Sequence, residues 1–93
     1  MLRQLMIAKK IEQRKAGVSD ILAKMEKLST RSAELETAIA EANTDEEIKV
    51  VEDAAGELEK EKGELETEKS KLEGEIAELE GELEGIRSKE PTK

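Results

Sequence analysis

Apolar residues recur at seven-residue spacing through the second half of the chain, starting at Val51. The repeat consists of Val51, Leu58, Leu65, Leu72, Leu79 and Ile86. A second repeat lies three positions before it and includes Ile48, Ile76 and Leu83. Two apolar positions in every seven are typical of long α-helices that pack along one narrow stripe. The second half is therefore predicted to be one long helix that packs against a partner helix.

The first half carries the same spacing in a different phase. Its repeats include Ile7, Ile21, Leu28 and Leu35 in one row and Ile11, Val18, Met25 and Ile39 in the other. The two phases do not join across residues 43–47, so the helix is predicted to be interrupted there. Thr44 followed by Glu47 three residues later indicates a helix start with a capping box. We expect helices over residues 2–42 and 45–88, with a turn at 43–44.

A two-residue connection favours helices that lie antiparallel to each other. The sequence therefore predicts an all-α fold, a long antiparallel helical hairpin or coiled coil, formed by residues 1–88 as one domain. Residues 89–93, which include Pro91, are expected to form a polar tail leading to a downstream domain that this sequence lacks. The predicted helix–helix seam contains Ile7, Ile11, Val18, Ile21, Met25, Leu28, Leu35, Ile39, Ile48, Val51, Leu58, Leu65, Leu72, Ile76, Leu79 and Leu83.

The middle of the predicted seam is weak. Lys62 and Lys69 fall at seam positions, where a lysine lowers stability and restricts the choice of partner. Gly17 lies in the same zone of the first helix. The sequence leaves open whether the first helix runs through Ala16–Ser19 or breaks there, with residues 1–15 as a separate helix.

Charge is distributed unevenly, with a basic beginning and an acidic end. Residues 1–15 contain five basic residues and one acid, whereas residues 45–86 contain seventeen acids and five bases. A hairpin that bends at its midpoint would place residue i near residue 87 − i. The predicted charge pairs are Lys10 with Glu75, Arg3 with Glu82 and Lys15 with Glu73. Such exposed pairs select orientation more than they add stability.

Composition argues against an enzyme. The chain contains no His, no Cys and no aromatic residue. It therefore lacks the commonest general base, a thiolate metal site and the large side chains of a wide core. We expect no catalytic residues, no metal and no cofactor. A net charge of -8 disfavours nucleic acid as a partner.

The first residues combine apolar side chains with basic ones. Leu2, Leu5 and Met6 alternate with Arg3 and Lys9, a pattern that suits either a membrane surface or a docking helix. The docking interpretation is favoured, because the chain itself supplies an acidic partner surface. We therefore expect no membrane partner. A lone hairpin leaves the other flanks of both helices exposed, so we also expect self-association as a homo-oligomer, with the number of copies left open. The start of the chain is too short and interrupted for a secretory signal and no apolar run is long enough to span a membrane, which predicts a cytoplasmic location.

Three stretches resemble a known family. They are residues 2–15 (LRQLMIAKKIEQRK), residues 33–47 with their AELE and AEANTDEE segments, and residues 71–79 (KLEGEIAEL). They are similar to the N-terminal delta (scaffolding) domain of tailed-phage major capsid proteins of the Hong Kong 97 type, found in prophages of Gram-positive bacteria. The resemblance implies a helical domain that directs procapsid assembly from inside the shell, in the host cytoplasm. It also implies removal by a phage maturation protease.

Two other functions fit the same pattern. One is a generic coiled-coil adaptor or spacer, which would be followed by further heptads. The other is a holdase-like chaperone hairpin, which would need apolar residues at its helix ends. Only the cluster at Leu2–Ile7 meets that need.

Overall fold

Two long α-helices make up nearly all of the described chain. The computed structural model describes residues 2–89 and contains α1 (Leu2–Glu41) and α2 (Asp45–Lys89). The helices pack side by side as an antiparallel hairpin of 74 × 15 × 15 Å. This confirms the predicted all-α hairpin. Met1 and residues 90–93, which include Pro91 and most of the predicted tail, lie outside the described residues.

The connection between the helices follows the predicted capping chemistry. The backbone N–H of Glu47 donates to Thr44 Oγ1 at 3.1 Å, and the N–H of Ile48 donates to the Thr44 carbonyl at 3.0 Å. The Glu47 carboxylate accepts from the N–H of Asn43 at 3.1 Å, one residue before the cap. The first bond satisfies a backbone donor that a helix start leaves free, the second is the first hydrogen bond of the helix itself, and the third fixes the chain as it enters the cap. α1 ends one residue earlier than predicted and α2 reaches one residue further.

α1 continues through Ala16–Ser19, so the alternative with a separate helix over residues 1–15 is wrong. Gly17 has no positive φ, and its backbone is ordinary helix. A Cβ built at Gly17 would lie 3.1 Å from Leu72 Cδ1, which is tighter than a usual contact. Here glycine lets α2 approach α1 closely, and the packing of Leu72 offsets the low helix propensity of the residue.

The core is a single file of aliphatic side chains. The buried hydrophobic residues are Ile7, Ile11, Ile21, Leu28 and Leu58. All of them belong to the predicted seam, and none of the described side chains is fully enclosed. Two helices alone can shield only one stripe of each other's surface, so most seam residues stay half-buried. The hairpin is therefore held by a thin contact along its length.

Alanine in place of the glycines of α2 is expected to stabilise the hairpin. A Cβ at Gly56, Gly63 or Gly74 would meet no neighbouring atom within 4 Å. Each substitution should raise the free energy of unfolding by about 0.5–1 kcal/mol, because alanine favours the helix. Thermal unfolding followed by circular dichroism measures the change.

Gly17→Ala is the matched control. It offers the same gain in helix propensity, but its Cβ would press against Leu72. It should stabilise the hairpin less than the substitutions at open positions. Equal gains at Gly17 and Gly63 would show that the close approach at Leu72 does not constrain the packing.

Candidate functional site

The candidate site is the contact surface between the two helices, because helix packing is the interaction that the sequence pattern predicts. We call the residues predicted to form this contact the seam. Each of them is buried or half-buried except Ile39, which is exposed beside the turn. Helical spacing of three and four residues places the seam on one stripe of each helix.

The two lysines predicted within the seam behave differently from each other. Lys62 is exposed and lies at the edge of a shallow groove beside Met25 and Leu28. Lys69 is half-buried, and its Nζ lies 3.7 Å from Glu73 one turn later in the same helix. A long side chain can cover apolar surface with its methylenes while its ammonium group stays in water. The apolar contact between the helices is therefore narrower at Lys62 and Lys69, and neither lysine is buried.

Arg14 and Glu75 form the best-shielded ion pair between the helices. Arg14 Nε donates to Glu75 Oε1 at 2.8 Å, and each side chain is only about a third exposed, at 31% and 33%. Arg14 Nη1 also donates to the carbonyl of Lys10 at 3.3 Å, which fixes the guanidinium against α1. Arg14 lies at the heptad position between Ile7 and Ile21, and the charge pairs predicted from the sequence did not include it.

Two further ion pairs cross between the helices at more exposed positions. Lys15 Nζ lies 3.9 Å from Glu80 Oε2, and both side chains are more than half exposed, at 61% and 55%. Arg31 Nη1 lies 3.4 Å from Glu61 Oε2. Water screens such pairs strongly, so they contribute less than the Arg14–Glu75 pair.

The predicted pairs are not the ones that form. Glu75 bonds to Arg14 instead of Lys10, and Lys15 approaches Glu80 instead of Glu73. Glu73 pairs with Lys69 of its own helix. Within residues 2–89, Arg3, Lys10 and Glu82 take part in no ion pair.

The tilt of helical side chains explains the shift. Side chains lean toward the N-terminus of their own helix. In an antiparallel hairpin, the side chains of α1 therefore lean away from the turn and those of α2 lean toward it. A residue of α1 then meets a residue of α2 that is further along the chain than backbone geometry suggests. The close approach of Leu72 to Gly17, where only Leu72 has a side chain, shows a shift in the same direction, since 87 − 17 is 70 and not 72.

One side of the hairpin carries a groove with walls of opposite charge, which we call the charged groove. Its α1 wall is formed by Lys24, Lys27 and Arg31, and its α2 wall by Glu61, Glu64 and Glu68. Leu28 and Leu65 form its apolar floor. All six charged side chains are exposed. Sequence reasoning missed this groove, although the spacing of the charges along each helix contained the signal.

A second exposed feature lies at the end of the hairpin that is distant from the turn. Leu2, Leu5 and Met6 are each more than half exposed and form what we call the distal patch. They face away from α2, since the neighbouring Ile7 and Ile11 are buried in the seam. The predicted cluster at Leu2–Ile7 is thus divided between the surface and the core.

The described chain offers little that resembles a reactive centre. The hydroxyls of Thr30, Thr37, Thr67 and Ser88 donate to backbone carbonyls of the preceding helical turn. Among residues 2–89, no group of acidic side chains is arranged to hold a metal ion. Neither helix, over the same residues, has a stretch that is long and apolar enough to cross a membrane.

Comparison of the chain with protein-family models, with curated proteins and with solved structures finds no match.

Truncating the seam should weaken the hairpin far more than truncating its surface. Leu28 is 7% exposed in the seam, whereas Leu22 is 50% exposed on the same helix. Leu28→Ala should lower the free energy of unfolding by about 2–3 kcal/mol, because it removes buried apolar area and leaves a gap. Leu22→Ala should change it by less than about 1 kcal/mol. Chemical denaturation of both variants measures the difference, and equal losses would place Leu28 outside the core.

A double-mutant cycle should separate the observed charge pairing from the pairing predicted by sequence. Alanine substitutions at Arg14 and Glu75 are expected to couple by about 0.5–1 kcal/mol, and the coupling should fall as salt is added. A parallel cycle on Lys10 and Glu75 should give a coupling near zero. Strong coupling of Lys10 with Glu75 would contradict the pairing in the structure.

Proposed function

We propose that this chain is an assembly scaffold of a phage capsid, of the delta-domain type that its sequence resembles. In this role it is not an enzyme. It brings copies of a capsid protein together through helix–helix contacts inside the procapsid, in the host cytoplasm. A phage maturation protease then removes it.

The open seam is the observation that carries the proposal. The hairpin is 74 Å long, yet it buries only a few aliphatic side chains. Most seam residues stay half-buried and can be covered further by a neighbouring helix. Many weak contacts along a rod, repeated among many copies, add up to strong but reversible association. Reversibility is what a scaffold needs, because misplaced subunits must be able to leave.

The acidic surface supports the same role. Between Leu72 and Ile86 the chain has acidic residues and no basic one, and its net charge is -8. A negative lining would repel DNA for as long as it remains inside the shell. Exposed helices with few buried contacts open locally with ease, and local opening exposes the backbone to a protease. Removal of the scaffold and entry of DNA would then occur in that order.

A holdase-like hairpin is the second candidate, and the exposed distal patch favours it. A chaperone of this kind grips clients with apolar surface at its ends. Among the described residues, Leu2, Leu5 and Met6 give one end the larger exposed apolar surface. Near the turn, only Ile39 and Val50 are exposed among the large apolar residues that the structure describes, and the first turn of α2 there is acidic. Suppression of client aggregation by the chain, and its loss in Leu5→Gln, would support this alternative. A spacer would instead show further heptads in the reading frame beyond residue 93.

Assembly of the full reading frame tests the scaffold role. The reading frame that contains this segment would be expressed intact and without residues 1–88, and particles would be examined by electron microscopy. The intact protein is expected to give uniform shells, and the deletion should give irregular particles or none. Shells of normal size and yield from the deleted protein would disprove the scaffold role.

A point variant makes the same test without removing the segment. Leu28→Asp places a charge in the seam and should abolish uniform shells, because it disrupts helix packing. Val50→Asp adds the same charge at an exposed position on α2 and should leave the shells unchanged. Equal defects in the two variants would indicate that added charge, and not loss of packing, causes the failure.

A further inference from the structure

The two walls of the charged groove belong to longer rows of charge. On α1, Lys10, Lys24 and Arg31 are spaced by multiples of seven, and Gly17 occupies the position between the first two. On α2, Glu61, Glu68, Glu75 and Glu82 are spaced by seven. Residues at heptad spacing lie along one side of a packed helix. One side of the hairpin therefore has a cationic edge and an anionic edge that run in parallel.

The hairpin itself neutralises only part of these rows. Arg31 pairs with Glu61 and Arg14 pairs with Glu75. Lys24, Lys27, Glu64 and Glu68 form no ion pair within residues 2–89, although they face the same groove. The charged side chains of the two walls stand on opposite sides of an open groove, and Leu65 lies half-buried at its floor.

We propose that the charged groove is a dimerisation surface and that its occupant is a second copy of this chain. A two-fold axis parallel to the long axis of the hairpin places α1 of one copy over α2 of the other. Lys24, Lys27 and Arg31 of each copy then face Glu68, Glu64 and Glu61 of the other. The result is a four-helix bundle in which every helix lies antiparallel to its neighbours, an arrangement that helix dipoles favour.

The alternative two-fold arrangement is excluded by charge. An axis perpendicular to the hairpin would place α1 over α1 and α2 over α2. Cationic walls would then face each other, and like charges in contact are destabilising. The same surface is therefore complementary to itself in one orientation, as a symmetric interface requires.

The available area is sufficient for such a dimer. A face 74 Å long and 15 Å wide offers on the order of 1,000 Å² per copy, and standard interfaces bury about 800 Å² per partner. The accessible surface of the chain is 7358 Å², whereas a compact protein of 10.3 kDa exposes about 5,400 Å². The excess of about 2,000 Å² per chain is roughly twice the area of about 800–1,000 Å² that one such interface removes from each copy.

This inference rests on the proposed self-association and specifies the surface that performs it. Sedimentation and small-angle X-ray scattering of the chain should show a monomer–dimer equilibrium. The dimer should be no longer than one hairpin, because the two copies lie side by side. Its dissociation constant should rise at least tenfold between about 50 mM and 500 mM salt, since opposite charges hold its orientation.

Charge reversal supplies the decisive test. One variant carries Glu at Lys24, Lys27 and Arg31, and a second carries Lys at Glu61, Glu64 and Glu68. Each variant alone should remain monomeric, because its two walls have the same sign. Mixing the two should restore a one-to-one dimer. A control with Glu at Lys9, Lys49 and Arg87 changes the net charge by the same amount as the first variant. These positions do not line the groove and form no ion pair between the helices within residues 2–89, so the control should dimerise like the unchanged chain.

Several results would overturn the inference. The chain could stay monomeric at about 1 mM, or its dimer could be much longer than one hairpin. Alternatively, a triple variant could dimerise normally, or the mixture of the two triple variants could stay unassociated. Circular dichroism verifies that each variant is helical. If a triple variant is unfolded, Lys27→Glu replaces it, and it should weaken the dimer at least threefold.

The dimer experiment and the shell experiment can fail independently of each other. If the reversed variants lose the dimer but the reading frame without residues 1–88 still forms uniform shells, the groove is correctly assigned and the scaffold role fails. If the dimer is never seen but deletion of residues 1–88 abolishes shells, the scaffold role stands and this surface is the wrong one.

Discussion

A single line of aliphatic side chains holds α1 against α2, and the other features of the hairpin depend on how narrow that line is. The buried residues are Ile and Leu, without any aromatic ring to widen the core. A seam one side chain wide leaves both of its flanks open to water. The side chains on those flanks are charged, so charge pairing decides which helices meet and in which direction, while the seam supplies most of the binding free energy.

The sequence predicted those features that arise from local or periodic chemistry. Heptad spacing located the buried residues, and Thr44 with Glu47 located the turn, because capping requires only a few neighbouring residues. The partners of individual charges were not predictable in the same way. They depend on the tilt of side chains and on their length. For this reason Glu75 pairs with Arg14 and not with Lys10, the partner predicted from the sequence. Gly17 was also misjudged, since its packing against Leu72 exists only once both helices are assembled.

Segregation of charge makes each helix depend on its partner. Glutamates four residues apart on α2, such as Glu78 and Glu82, repel one another, and basic residues four apart on α1, such as Lys27 and Arg31, do the same. Folding into a hairpin brings the two rows together, but only some of the charges pair within residues 2–89. The remaining charges still gain from an oppositely charged neighbour. Electrostatics therefore favours folding and further association by the same mechanism, and added salt should weaken both.

The glycines of α2 extend this dependence to the backbone. Open space surrounds a Cβ built at Gly56, Gly63 or Gly74, so packing within the hairpin does not require glycine there. Each such residue lowers helix stability by about 1 kcal/mol relative to alanine. A helix weakened in this way gains more from each partner that covers it, because binding to the folded state alone raises its stability by mass action. Low intrinsic stability and an open seam thus act in the same direction, because both increase the stability that the hairpin gains from any partner that covers it.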